Sequence, residues 1–104
     1  MKKLVILISG NGSNLQAIIN EIYHKRLDCV IQAVISNRKN AYGLIRAKDN
    51  DIPIYYIPYI RSKIDRKDYD NNLKNLVDSF NPDIIVCAGW MHVLSHNFID
   101  YFNK

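Results

Sequence analysis

Six consecutive residues, Ser9, Gly10, Asn11, Gly12, Ser13 and Asn14, combine two glycines with two hydroxyls and two amides. They follow an unbroken apolar run at residues 4–8. Glycine has no Cβ, so the backbone at such a turn can bend tightly and let an anion approach closely. Ser13 and Asn14 would open a helix, where backbone N–H groups and the helix dipole favour a phosphate. A plain tight turn with an Asn or Ser cap is the other reading these residues allow, and composition does not separate the two. A dinucleotide site is disfavoured, because Gly-Asn-Gly-Ser-Asn lacks the third glycine and the second strand ends in Ser36-Asn37 without an acidic residue. A nucleoside-triphosphate P-loop is excluded, since no Gly-Lys-Ser/Thr follows.

The remaining reactive side chains are scattered. His24 falls near the end of the first predicted helix and reads as a solvated helix-end residue. His96 falls in the first turn of the last predicted helix and reads as surface. His92 sits in a loop after the fourth strand, but a histidine with no orienting partner reads as a neutral loop residue. Cys29 and Cys87 each lie in an apolar strand-like run and read as buried reduced thiols, with no disulfide and no metal site. Tyr55, Tyr56 and Tyr59 cluster; base stacking is conceivable, but tyrosines suit strand packing. Arg61, Lys63 and Arg66 could form a basic rim or simply a solvated loop, and the two readings are even.

Composition sets the outer bounds. The chain has 104 residues, is 48% apolar and 23% charged, and carries a net charge of +4. These are values of one small globular domain, not of a disordered tail or coiled coil. The charge suits an anionic small molecule, whereas nucleic-acid binding is disfavoured because no dense Lys/Arg block occurs. The first apolar run is too short to cross a bilayer, and polar residues 9–12 cut it off before it can act as a signal peptide. A cytoplasmic protein is the expectation.

Strand and helix patterns alternate along the chain. Strands are predicted at residues 3–8, 29–35, 53–57 and 83–88, the first and last as continuous apolar runs buried on both faces. Pro53 at the start of the third suits an edge position. Helices are predicted from Leu15 to about residue 25, where Leu15, Ile18, Ile19, Ile22 and Tyr23 recur at helical spacing, at 41–50 with Leu44, Ile45 and Ala47 apolar, after an Asp65 N-cap up to Phe80, and at 96–102 after Ser95. The third helix shows the clearest stripe: Tyr69, Leu73, Leu76, Val77 and Phe80. This βαβαβαβα order predicts an α/β, Rossmann-like fold, with a parallel sheet of about four strands in the order 3-2-1-4. The carboxyl ends of strands one and four then flank the point where such folds bind ligands. Residues 9–14 and 89–94 are the two loops concerned.

Residues 7–18 closely resemble the amino-terminal motif of the phosphoribosylglycinamide formyltransferase family. The resemblance continues through Ala33-Val34-Ile35-Ser36-Asn37, Ala41-Tyr42-Gly43-Leu44, residues 66–73, residues 82–86 and Ala88-Gly89-Trp90-Met91. It covers essentially the whole chain and implies a formyltransferase fold. It also implies transfer of a formyl group from 10-formyltetrahydrofolate to the glycyl amine of glycinamide ribonucleotide, in purine synthesis. By the same resemblance Gly12, Ser13 and Asn14 hold the substrate's ribose phosphate. Arg66 falls at a folate-contacting arginine, and Met91, His92, Val93 and Leu94 fall on the loop lining the pterin pocket. The family commonly has arginine where this chain has His92. No metal is implied, and the partners are two small molecules, with neither nucleic acid nor membrane.

The family's Asn-x-His-Pro motif and later catalytic Asp do not occur in these 104 residues. Formyl transfer needs a proton acceptor for the amine and donors for the oxyanion. The expectation is therefore that residues 1–104 are the amino-terminal part of a single formyltransferase domain, with no catalytic residue of their own and inactive alone. A stand-alone module that binds a phosphate ligand is the alternative. Without further strands, the fourth would leave an open apolar edge prone to self-association.

Overall fold

The apolar run after Lys2 and Lys3 forms β1 (Lys2–Ile8), the strand around which the rest is built. A computed structural model describes residues 1–58, 65–90, 98 and 101. After β1 come α1 (Ser13–Tyr23), β2 (Cys29–Ser36), α2 (Tyr42–Asp49), β3 (Ile54–Tyr56), α3 (Arg66–Ser79) and β4 (Ile84–Cys87). The strands pair in parallel in the order β3-β2-β1-β4, as the alternating pattern predicts. The predicted last helix lies outside the described residues except for Phe98 and Tyr101, which are helical.

β1 has a paired strand on each side and a layer of helix on each face. Leu4, Ile6 and Ile8 point into one core, shared with Leu15 and Ile19 of α1 and Leu44 and Ala47 of α2. Val5 and Leu7 point into the other, shared with Tyr69, Leu73 and Val77 of α3 and with Phe98. This two-faced burial is why the strand reads as a continuous apolar run rather than an alternating one. The path β1-α1-β2-α2-β3 runs outward along one face. α3 returns along the other face, so that β4 pairs with the free side of β1. Right-handed crossovers produce this arrangement, and it sets the reversal point of the sheet between β1 and β4.

Three expectations need correction. β4 is not buried on both faces: Ile84 and Cys87 are exposed and Ile85 and Val86 only partly covered. Cys87 is accordingly an exposed thiol, while Cys29 is buried as expected. The reason is position, since β4 is the outermost strand of the described sheet. Tyr23, read at helical spacing with the apolar residues of α1, and Ile45, read among the apolar residues of α2, are also exposed. Tyr23 ends α1 beyond the sheet's cover, and Ile45 sits beside the buried Leu44 on the outward turn of α2.

α3 is anchored as its sequence predicts. The Asp65 side chain accepts a hydrogen bond from the Lys67 N–H at 3.2 Å, and Asp68 lies in the first turn. The Tyr69 hydroxyl donates to the Ile57 carbonyl at 2.8 Å, tying α3 to the end of β3. Tyr69→Phe would leave that acceptor without its donor, and urea denaturation should show a loss of about 1–2 kcal/mol. Burial, with the charge of Asp70 and then Tyr56 behind it, holds the Tyr69 phenol above its ordinary pKa. A raised folded value means stabilisation that is full below the ordinary tyrosine range and lost as pH rises through the folded pKa. The alkaline limb of stability against pH should therefore be flatter in Tyr69→Phe than in the parent.

At the opposite edge of the sheet, Asp83 joins β4 to β1. The Lys3 N–H donates to Asp83 Oδ2 at 2.8 Å, and the Asp83 N–H donates to the Lys3 carbonyl at 2.8 Å. The Lys3 amide, followed by the charges of Lys2, Lys3 and the amino terminus, holds the Asp83 carboxyl below its ordinary pKa. A depressed folded value means stabilisation present above the ordinary aspartate pKa and lost as pH falls through the folded one. Asp83→Asn should remove that part of the acid limb, read as thermal midpoints from neutral to strongly acid pH.

Candidate anion-binding loop and its supports

β1 delivers the chain to residues 9–14 at the carboxyl edge of the sheet. Ser9 is buried there, and its hydroxyl donates to Asn37 Oδ1 at 2.7 Å, linking the ends of β1 and β2. Ser36 turns its own loop. Its hydroxyl accepts from the Arg38 N–H at 3.0 Å and donates to the Arg38 carbonyl at 2.8 Å. In the pair Ser36-Asn37, read from residue type only as a missing acidic residue, Ser36 thus shapes its own loop and Asn37 ties it to the loop after β1.

Gly12 is the N-cap of α1 and adopts a left-handed φ of 82°. No side chain caps this helix, and its first turn holds no acidic residue. The alternative of an Asn- or Ser-capped turn is therefore not what forms. Ser13 and Asn14 are the first two residues of α1 and both are exposed. The arrangement leaves a helix N-terminus with positive dipole, flanked by hydroxyl and amide side chains, facing solvent at the carboxyl edge. That is the electrostatic setting in which a phosphate group is held.

The loop is packed hard against α2. A Cβ on Gly12 would stand 2.6 Å from the Gly43 Cα, and a Cβ on Gly43 would collide with the Ile8 side chain. The Gly43 N–H donates to the Gly10 carbonyl at 3.1 Å. From the next turn of α2, Arg46 reaches over the loop. Its Nε donates to the Asn11 carbonyl at 2.9 Å, and its guanidinium donates to Asn11 Oδ1 at 2.6 Å and Gln16 Oε1 at 3.3 Å. The guanidinium carbon also sits 4.8 Å from the centre of the Tyr42 ring. Beside the loop, a cleft of about 520 Å³ is lined by Ser9, Gly10 and Asn11 on one side and by Arg38, Lys39 and Tyr42 on the other. The exposed cations on its rim add positive potential to that of the helix.

The other predicted site residues are distributed as follows. Arg66 is exposed and opens α3, on the opposite face of the sheet from α1. Met91, His92, Val93 and Leu94 lie outside the described residues, as do Arg61, Lys63 and His96. On the approach to them, the Ala88 N–H donates to the Leu7 carbonyl at 2.9 Å, so the ends of β1 and β4 leave the sheet side by side. Gly89 then turns with φ 80°, and Trp90 packs partly buried against the α3 core. His24 is exposed at the far end of α1, away from this edge. Gly43 and Arg46 are the members that sequence reasoning missed. A glycine near the start of a helix was the only local hint. Among the described residues no group of three His, Cys, Asp or Glu could hold a metal ion, and no helix is long and apolar enough to cross a membrane.

Residues 2–104 match the family model described as formyl transferase. The curated phosphoribosylglycinamide formyltransferase of Schizosaccharomyces pombe is 47% identical over 100 residues, covering 88% of this chain and 48% of that protein. The Escherichia coli protein of the same name is 41% identical over 100 residues, covering 95% of this chain and 46% of its own length. Among solved structures, phosphoribosylglycinamide formyltransferase from Coxiella burnetii superposes with a TM-score of 0.91 at 45% identity, over 98% of this chain and 47% of that one. The chain spans about half the length of the relatives it matches.

Proposed function

Because this chain belongs to the formyl transferase family, we propose that it serves a phosphoribosylglycinamide formyltransferase reaction. In that reaction 10-formyltetrahydrofolate gives its formyl group to the glycyl amine of glycinamide ribonucleotide, in the cytoplasm. The observation that carries this reading is the uncapped N-terminus of α1 behind Gly12, seated on Gly43. It offers a phosphate backbone N–H groups and the helix dipole, with Ser13 and Asn14 placed to add side-chain hydrogen bonds. The described residues thus suit the ribose phosphate. Arg66 and Met91, His92, Val93 and Leu94 are the proposed folate contacts.

These residues bind and orient the ribonucleotide, and the proton relay and oxyanion donors are proposed to come from residues outside these 104. Two facts support this division: no Asn-x-His-Pro occurs here, and the relatives are about twice as long. The deciding experiment titrates glycinamide ribonucleotide, and its phosphate-free riboside, into the protein expressed from its own gene, and then assays formyl transfer. Saturable binding lost with the phosphate is expected. Equal affinity for the riboside would remove the loop from the site. Binding with no transfer by that protein would favour the stand-alone phosphate-ligand module instead.

A further inference from the structure

The geometry points to Arg46 as the positioning residue of the anion loop, an inference that rests on the function proposed above. Two successive carbonyls of the loop are drawn toward α2. The Gly10 carbonyl accepts from the Gly43 N–H, and the Asn11 carbonyl accepts from Arg46 Nε. No peptide bond in the described chain is cis. In a trans peptide the C=O and the following N–H point in opposite directions across one plane. Holding the two carbonyls therefore turns the Asn11 and Gly12 N–H groups away from α2, side by side. Successive N–H groups aligned in this way form an anion-binding concavity, and here it runs directly into the first turn of α1.

Arg46 adds what a plain helix contact would not. Its planar fork engages the carbonyl and the side chain of the same residue, Asn11, while a third contact reaches Gln16 on α1. The fork thus fixes the loop relative to both helices. A lysine carries the same charge but lacks the fork. Tyr42 stacks beneath the guanidinium and limits its swing. The stem of Arg46 lies over Gly12, close enough that a Cβ there would come within 3.3 Å of its Cδ. Arg46 acts through the loop and is not a phosphate ligand.

The test compares Arg46→Met, which keeps the stem, with Arg46→Lys, which keeps the charge, in the protein expressed from its own gene. At metal sites, loss of an outer partner that orients a ligand typically costs about 10- to 100-fold in affinity, and the indirect support of an anion loop is expected to be of the same order. A rise of that size is expected in the KM for glycinamide ribonucleotide with Arg46→Met, with kcat and the KM for 10-formyltetrahydrofolate changed far less. The same loss is expected when ribose 5-phosphate binding is followed through the Asn11 and Gly12 amide signals. Arg46→Lys should recover little of it. An unchanged ribonucleotide KM in Arg46→Met, or full rescue by lysine, would overturn the positioning role and leave the proposed function standing. A uniform fall in both KM values, kcat and thermal midpoint would reduce Arg46 to a structural residue. A parent protein that binds no ribonucleotide would overturn both.

Discussion

Gly12→Ala is expected to abolish useful binding of the proposed phosphorylated substrate while leaving a weakened but folded protein. Two costs fall on one methyl group. The residue sits at φ 82°, a left-handed conformation that costs alanine roughly 1–2 kcal/mol and glycine nothing. The new Cβ would also meet the Gly43 Cα at 2.6 Å, a backbone atom that cannot swing aside. Overpacking of this kind costs typically about 1–3 kcal/mol. The strain will be relieved by moving the loop off α2, which breaks the contacts from Gly43 and Arg46. A rise on the order of 100-fold in the ribonucleotide Kd, the equivalent of about 2.8 kcal/mol, is expected by calorimetry. Gly10→Ala is the matched control, since nothing lies within 4 Å of its Cβ and its φ is ordinary. It should alter the urea midpoint little. Equal effects of the two substitutions would contradict the packed-loop account.

The second large effect is expected in the opposite core. Leu73→Ala removes a fully buried side chain from the cluster it forms with Val5, Leu7, Ile35, Tyr69 and Val77. Large-to-small changes at such sites cost about 2–5 kcal/mol, with the cavity they leave included. Domains of this kind hold only about 5–15 kcal/mol in total, so a third of the stability is at stake. Chemical denaturation should show the loss with little change in the slope of the transition. Leu76→Ala, at a position only partly buried, should cost clearly less. Because α3 begins at Arg66, proposed above as a folate contact, a loosened α3 should on that proposal weaken folate affinity before it affects the ribonucleotide. A parallel loss of both affinities would count against separate supports for the two halves of the site.

Much of this architecture is legible in the residues because parallel strands between two helical layers have a simple signature. β1 and β2 show near-continuous apolar runs, and the α3 stripe from Tyr69 to Val77 has helical spacing. The turn at Gly12 was legible for a similar reason, since few residues other than glycine tolerate its backbone angle. The misreadings have a common physical cause. Apolar composition reports that a strand wants cover but not where it stands in the sheet, so β4 and Cys87 were expected to be buried. Hydrophobic spacing likewise says little about the outermost turn of a helix, where Tyr23 sits. The supports of the loop were invisible for a different reason. Arg46 and Asn11 are 35 residues apart, and no local pattern marks an arginine whose role is to hold a distant carbonyl.

The packing of the loop against α2 also has a consequence for the order of assembly. Each described contact that shapes it, from Ser9 with Asn37 to Asn11 with Arg46, closes within the first 46 residues. The β1–β4 pairing, by contrast, joins residues about 80 positions apart. Short-range closures are faster than long-range ones, and a chain emerging from the ribosome offers its amino-terminal part first. The loop at residues 9–14 therefore belongs to the earliest-forming unit of the described fold, and the reversal point between β1 and β4 closes after it.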